Sequence, residues 1–238
     1  MTPVFELLRE RLAHLARADG LEGTPVTVGT APDRWPGMGC LPAPAGRFVL
    51  RAVFGGAEGL ALSPLVARFE GRLGALLDLP LETPAERARF CAVLNAVLTL
   101  RGNITPGPLL CSTVGTEGCA RVLLERVRAA DRRCPCVCLT AGHRCLYETL
   151  VDHGPVLLLS EGDPGAPGAV GTAPVPEAIR RCALILVGGS TLTHGLWDRI
   201  APELEPRAGI LAYGITTAGA AALLGWPHHC RPSPPGRT

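Results

Sequence analysis

Apolar residues at Phe5, Leu8, Leu12 and Leu15 recur at helical spacing, with Arg9, Glu10, Arg11 and Arg17 between them. The spacing predicts an amphipathic helix over 4–18, closed by Gly20 and Gly23. Short β-rich runs follow at 26–28 and 47–54, separated by a glycine- and proline-rich stretch and ended by Gly55-Gly56. Two further helices are predicted. The first covers 63–77, with Pro64 in its opening turn. The second covers 83–99 and opens on Thr83-Pro84-Ala85-Glu86, an N-cap, a proline at N1 and a glutamate at N3, which is a capping-box signature. Strand and helix do not alternate here, so this half reads as α+β.

Residues 101–108 (R-G-N-I-T-P-G-P) are punctuated by Gly and Pro and carry no periodicity, which marks a linker. It divides the chain into an N-terminal domain over 1–103 and a C-terminal domain over 104–238. The second half alternates. Helices are predicted over 118–130, 144–152, 176–181, 196–200 and 218–224, and strands over 136–140, 156–160, 184–187 and 209–213. Short apolar runs alternating with helices predict a parallel sheet covered on both faces, a Rossmann-like domain. Residues from Arg231 read as a frayed tail.

Composition narrows the chemistry. Of 238 residues, 23 are basic and every one is arginine, so lysine-dependent mechanisms are excluded. An anionic ligand would have to be held by arginine or by backbone amides, and Arg144 is the arginine nearest in sequence to the predicted site loops. A net charge of +2 leaves no electrostatic footprint for nucleic acid, and 4% aromatic residues leave no base-stacking platform. The N-terminus has charges within its apolar stretch and no cleavage site for a signal peptide, and no run reads as a membrane span. A cytoplasmic protein is expected, with its ten cysteines as thiols or metal ligands. A homodimer is left open.

Ligands of open parallel sheets bind beyond the carboxyl ends of the strands. Four loops qualify there. They contain Gly142 and His143; Glu161, where a ribose-binding acid sits in dinucleotide folds; Gly188, Gly189, Ser190, Thr191 and His194; and Thr216 with Thr217. The third is the most informative. Its glycines let backbone approach a ligand, its hydroxyls can bond one, and a helix start can hold an anion; the same residues also suit a plain N-cap. No G-x-G-x-x-G follows the first strand of this half. Asn95, inside an apolar helix, must be bonded if buried, either as a link between domains or as a ligand contact. His143 suits a ligand or acid–base role. Cys111 and Cys119 flank a predicted helix start at a spacing unlike a zinc knuckle. Cys134, Cys136 and Cys138 alternate along a strand, too far apart for one ion to bridge all three. His228-His229-Cys230 reads as an exposed tail, or as a soft-metal-like cluster that would need a distant partner to close a site.

Several of these segments together resemble a known family. They are A-E-G-L-A-L-S-P from Ala57, A-R-F-C-A-V-L-N-A-V-L from Ala88, V-L-L-L-S-E-G-D-P from Val156 and A-L-I-L-V-G-G-S-T-L-T-H-G from Ala183. The C-terminal half resembles the family named for heavy-metal chelation, domain of unknown function 364. The N-terminal half resembles its companion, domain of unknown function 4213. The resemblance implies an N-terminal domain like the capping domain of enolase, a Rossmann-like C-terminal domain and a cleft between them. It also implies that the cleft binds a metal ion or a metal-chelating anionic small molecule, with Cys111, Cys119 and His143 as candidate ligands to a transition metal. This chain departs from the family at His194, often Asn there, at Leu196, often small and polar, and at Gly214-Ile215-Thr216-Thr217, often Gly-Pro-Ser. Two other roles fit the same residues: an enzyme acting on a small anionic metabolite with a cleft histidine as acid–base, and a non-catalytic interaction subunit.

Overall fold

The computed structural model describes residues 2–31, 48–105, 111–130, 137–140, 144–151, 156–159, 179–180, 182–204, 206 and 208–230. Within 111–119, 137–140 and 156–159, and at 130, 144, 145 and 147, it describes backbone alone.

Helix α1 (Pro3–Ala18) buries Val4, Phe5, Leu8, Leu12 and Ala16 along one face, close to the stripe its sequence predicts. Strands β1 (Pro25–Thr30), β2 (Phe48–Phe54), β3 (Ala57–Ser63) and β4 (Phe69–Arg72) form an antiparallel sheet in the order β3-β2-β1-β4. The predicted helix over 63–77 is replaced by a loop, β4 and a short α2 (Leu73–Leu77). Leu65, Val66, Phe69, Leu73, Leu76 and Leu77 do recur at near-helical spacing. However, Phe69 and Gly71 pair with Val28 and Val26 of β1, and this tertiary pairing overrides the local period.

Helix α3 (Pro84–Leu100) starts with the predicted capping box: Thr83 Oγ1 accepts from the Glu86 amide, and Glu86 accepts from the Thr83 amide. The bonds from the Thr83 backbone hold the Glu86 carboxyl below its usual pKa. Every residue from Phe90 to Leu98 is buried. A helix apolar on all sides belongs inside a core. Here α3 lies on β2 and β3 and also meets the turn over 215–217 and the helices over 189–193 and 218–224.

Helix α4 (Cys111–Ala130) begins seven residues earlier than the expected start at 118. Beyond it come β5 (Val137–Thr140), α5 (Arg144–Val151), β6 (Val156–Leu159), β7 (Leu184–Val187), α6 (Gly189–Thr193), α7 (Leu196–Ile200), β8 (Gly209–Tyr213), α8 (Ala218–Leu224) and β9 (His228–His229). The five strands are all parallel, in the order β6-β5-β7-β8-β9. His228 and His229 therefore lie in a strand beside β8, not in an exposed tail, and His229 is buried. The protein is thus a mixed α/β chain with one antiparallel and one parallel sheet. One apolar core joins the two halves, running from Phe5, Leu50, Phe54 and Phe90 to Ile185, Val187, Leu192, Trp197 and Ala220. Among the described residues, no helix is long and apolar enough to cross a membrane.

Candidate functional site at the carboxyl edge of the parallel sheet

In chain order the parallel strands run 2-1-3-4-5, so successive connections leave β5 in opposite directions. Between β5 and β7 lies the switch point of such a sheet, where two diverging loops leave a crevice. The turn after β7 is at this point. Gly188 is buried, whereas Gly189 and Ser190 are partly exposed at the start of α6. The amides of a first helical turn have no partner within the helix. Gly189 is required by packing: a Cβ there would lie 2.6 Å from Thr216 Cβ and 2.7 Å from Thr216 Oγ1.

The threonines face inward. Thr191, Thr193, Thr216 and Thr217 are all buried. Thr193 Oγ1 donates to the Gly189 carbonyl at 3.2 Å. Thr216 Oγ1 accepts from the Leu62 amide at 2.9 Å, which ties the turn after β8 to the edge of β3. Thr217 Oγ1 lies 2.9 Å from the Tyr213 carbonyl and 3.0 Å from that of Gly214, and donates to them. Ser190 is therefore the hydroxyl in these two turns that faces outward in part. His194 is also partly exposed and takes part in an interaction of its own.

Asn95 occupies the seam. Its Nδ2 donates to the carbonyls of Leu60 (2.8 Å) and Ile215 (2.9 Å), and its Oδ1 accepts from the Gly219 amide at 2.7 Å. Both donors are spent within the protein, and the side chain is 4% exposed. These bonds tie α3 to β3 through Leu60 and to the turn and helix after β8 through Ile215 and Gly219.

Gly142, His143 and Glu161 lie outside the described residues, as do Cys134 and Cys136. Cys111 and Cys119 fall eight positions apart on α4, about 12 Å along the helix axis at about 1.5 Å per residue. One zinc ion held by both would have to span that rise with bonds of about 2.3 Å. Among the described residues, no group of three or more His, Cys, Asp or Glu is placed to hold a metal ion. Cys91 is a core residue whose thiol is pushed up to about 12 by burial.

Sequence reasoning missed Arg87. This arginine is 8% exposed on α3. Its Nε donates to the Leu81 carbonyl at 2.9 Å, Nη2 to that of Glu82 at 2.9 Å and Nη1 to that of Thr193 at 3.1 Å. The guanidinium also lies 5.9 Å from the centre of the Phe5 ring, within cation–π range. Arg87 is thus a fixed positive charge at the C-terminal end of α6, beside Thr193 and Gly195.

No model of a known protein family matches the chain, and no curated protein matches it. Solved structures do. A protein of unknown function from the DUF364 family of Pyrococcus horikoshii superposes with a TM-score of 0.58 at 12% identity, covering 90% of this chain and 80% of its own. A DUF364 protein of unknown function from Desulfitobacterium hafniense does so with a TM-score of 0.51 at 11% identity, covering 74% and 71%. The fold is shared with DUF364 proteins. This agrees with the DUF364 part of the resemblance drawn from the residues, and at these identities it concerns fold alone.

His228 sits at the same edge of the sheet as these turns. Its Nε2 is 2.9 Å from the Gly214 carbonyl, to which it donates as the Nε2–H tautomer. Burial pushes its pKa below the usual histidine value, and the Gly214 bond partly opposes this. Between the lowered folded value and the ordinary unfolded value of about 6.5, the unfolded chain binds a proton that the folded chain refuses. Stability is therefore full above that window and is lost as pH falls through it. The melting temperature should drop on acidification from neutral pH, and the drop should be smaller in His228→Gln. Equal drops would assign the effect to another group.

Proposed function

We propose that the protein binds a metal ion, or an anionic small molecule that chelates one, at the carboxyl edge of its parallel sheet. On this reading the parallel half is a Rossmann-like ligand domain. The antiparallel half, like the enolase capping domain and the companion domain 4213, covers it. The heavy-metal label is carried by the resemblance. The single observation that supports the reading best is the partly exposed Gly189-Ser190 turn at the β5/β7 switch point. Backbone amides, not a basic cluster, would contact the ligand, in keeping with a chain that has no lysine. His143 and either Cys111 or Cys119 are the proposed soft ligands. A cytoplasmic location is part of the same reading.

Elemental analysis of untagged protein tests this, together with melting curves in transition-metal salts and in metal–citrate chelates. Bound metal, or a rise in melting temperature with either, is expected. No bound metal and no rise would overturn it. Ser190→Glu separates the two ligands: a carboxylate at the turn should abolish binding of an anionic chelate and spare binding of a bare cation.

One observation favours a second reading, a non-catalytic interaction subunit. Asn95, Thr193, Thr216 and Thr217 direct their hydrogen bonds into the protein, and apolar packing fills the seam around α3. Absence of stabilisation by any metal or chelate would select this reading.

A further inference from the structure

The two edges of the antiparallel sheet differ. The β3 edge is covered within the chain by the turn after β8, through the bond from the Leu62 amide to Thr216 Oγ1. The outer edge of β4 pairs with no described residue. Glu70 and Arg72 are exposed, with Glu70 paired to the exposed Thr27, so they stand on the sheet face away from the helices. Just upstream, Leu65 (62% exposed) and Val66 (48%) are the two most exposed large apolar side chains among the described residues. Apolar exposure beside an open edge strand is what a pairing surface presents.

We propose that β4 is the docking edge for a second copy of this chain, paired antiparallel about a two-fold axis at Gly71, so that two four-stranded sheets join into one of eight. The charges select this partner. In that register Glu70 lies directly opposite the partner's Arg72, and Arg72 opposite the partner's Glu70, on the same sheet face. Directly opposed side chains are about 4.5–5.5 Å apart at Cβ, and opposite charges there are favourable while like charges are not. A two-fold interface has to be self-complementary, and a glutamate and an arginine placed symmetrically about a glycine meet that condition. Short charged edges commonly deter pairing. Here the alternating signs deter other strands and admit an antiparallel copy of this one. Leu65 and Val66 would be covered at the margins of the joint.

The test is the mass of the full chain in solution, by size exclusion with light scattering over a dilution series. The wild type should be a dimer that dissociates on dilution, and more readily at high salt, where exposed charge pairs are screened. Glu70→Arg sets arginine against arginine and should be monomeric where the wild type is dimeric, melting as the wild type does once diluted to its monomer. The double variant Glu70→Arg/Arg72→Glu restores the opposition and should recover the dimer. Leu65→Ser with Val66→Ser should weaken it independently of charge. A monomeric wild type, a dimer that Glu70→Arg leaves intact, or a double variant that stays monomeric would each overturn the proposal.

Discussion

Replacing Gly59 by alanine is expected to lower the urea midpoint sharply. Gly59 is the point at which β3 touches the backbone of α3. A Cβ there would overlap the Ala92 carbonyl oxygen and the Ala96 amide nitrogen, and would lie 2.8 Å from the Asn95 carbonyl carbon. None of these atoms can turn aside, because they belong to the main chain of a helix buried from Phe90 to Leu98. Relief requires the strand and the helix to separate, which opens the core around Leu50, Ala52, Ala61 and Leu94. Overpacking commonly costs about 1–3 kcal/mol when side chains can adjust. A clash of backbone against backbone should reach or exceed the top of that range, about 3 kcal/mol, against a total stability of about 5–15 kcal/mol. Urea denaturation measures this directly, and a midpoint equal to that of wild type would contradict the packing described.

Asn95→Ala is the second large effect. It strands the Leu60 and Ile215 carbonyls and the Gly219 amide in a buried seam. At about 1–3 kcal/mol for each unsatisfied buried group, with partial relief by water in the vacated space, the loss should be about 3–5 kcal/mol. Asn95→Asp distinguishes hydrogen bonding from cavity formation, since it keeps the volume but aims a carboxylate at two carbonyls. It should be at least as damaging as alanine at neutral pH. It should recover in part on acidification, when a protonated carboxyl can donate again. An Asn95→Asp variant as stable as wild type at neutral pH would show that volume dominates at this position.

Some of these features could be read in the sequence because their signal is local. The capping box of α3 lies within four residues, and the alternation of β5 to α8 needs only apolar runs and punctuation. The Gly188-Gly189 turn could be found for the same reason. Strand β4 could not, because its apolar residues match a helical period and only the pairing with β1 decides otherwise. Strand β9 is two histidines long, and no pattern of that length announces a strand. Within the site, the sequence shows that Thr191, Thr193, Thr216 and Thr217 carry hydroxyls but not which way each turns; packing against β3 and the preceding strand ends settles that. Arg87 left no trace because its partners are carbonyl oxygens, which every residue possesses.

The core shared by the two sheets has a thermodynamic consequence. A ligand that binds the folded state alone raises the free energy of unfolding of whatever unfolds with its site, by RT ln(1 + [L]/Kd). Because Ile185 and Val187 of the parallel sheet belong to the same core as Leu50 and Phe54 of the antiparallel one, both halves share that gain. Occupancy at the Gly189-Ser190 turn would accordingly slow amide exchange in β1 and β2, strands that the ligand never touches.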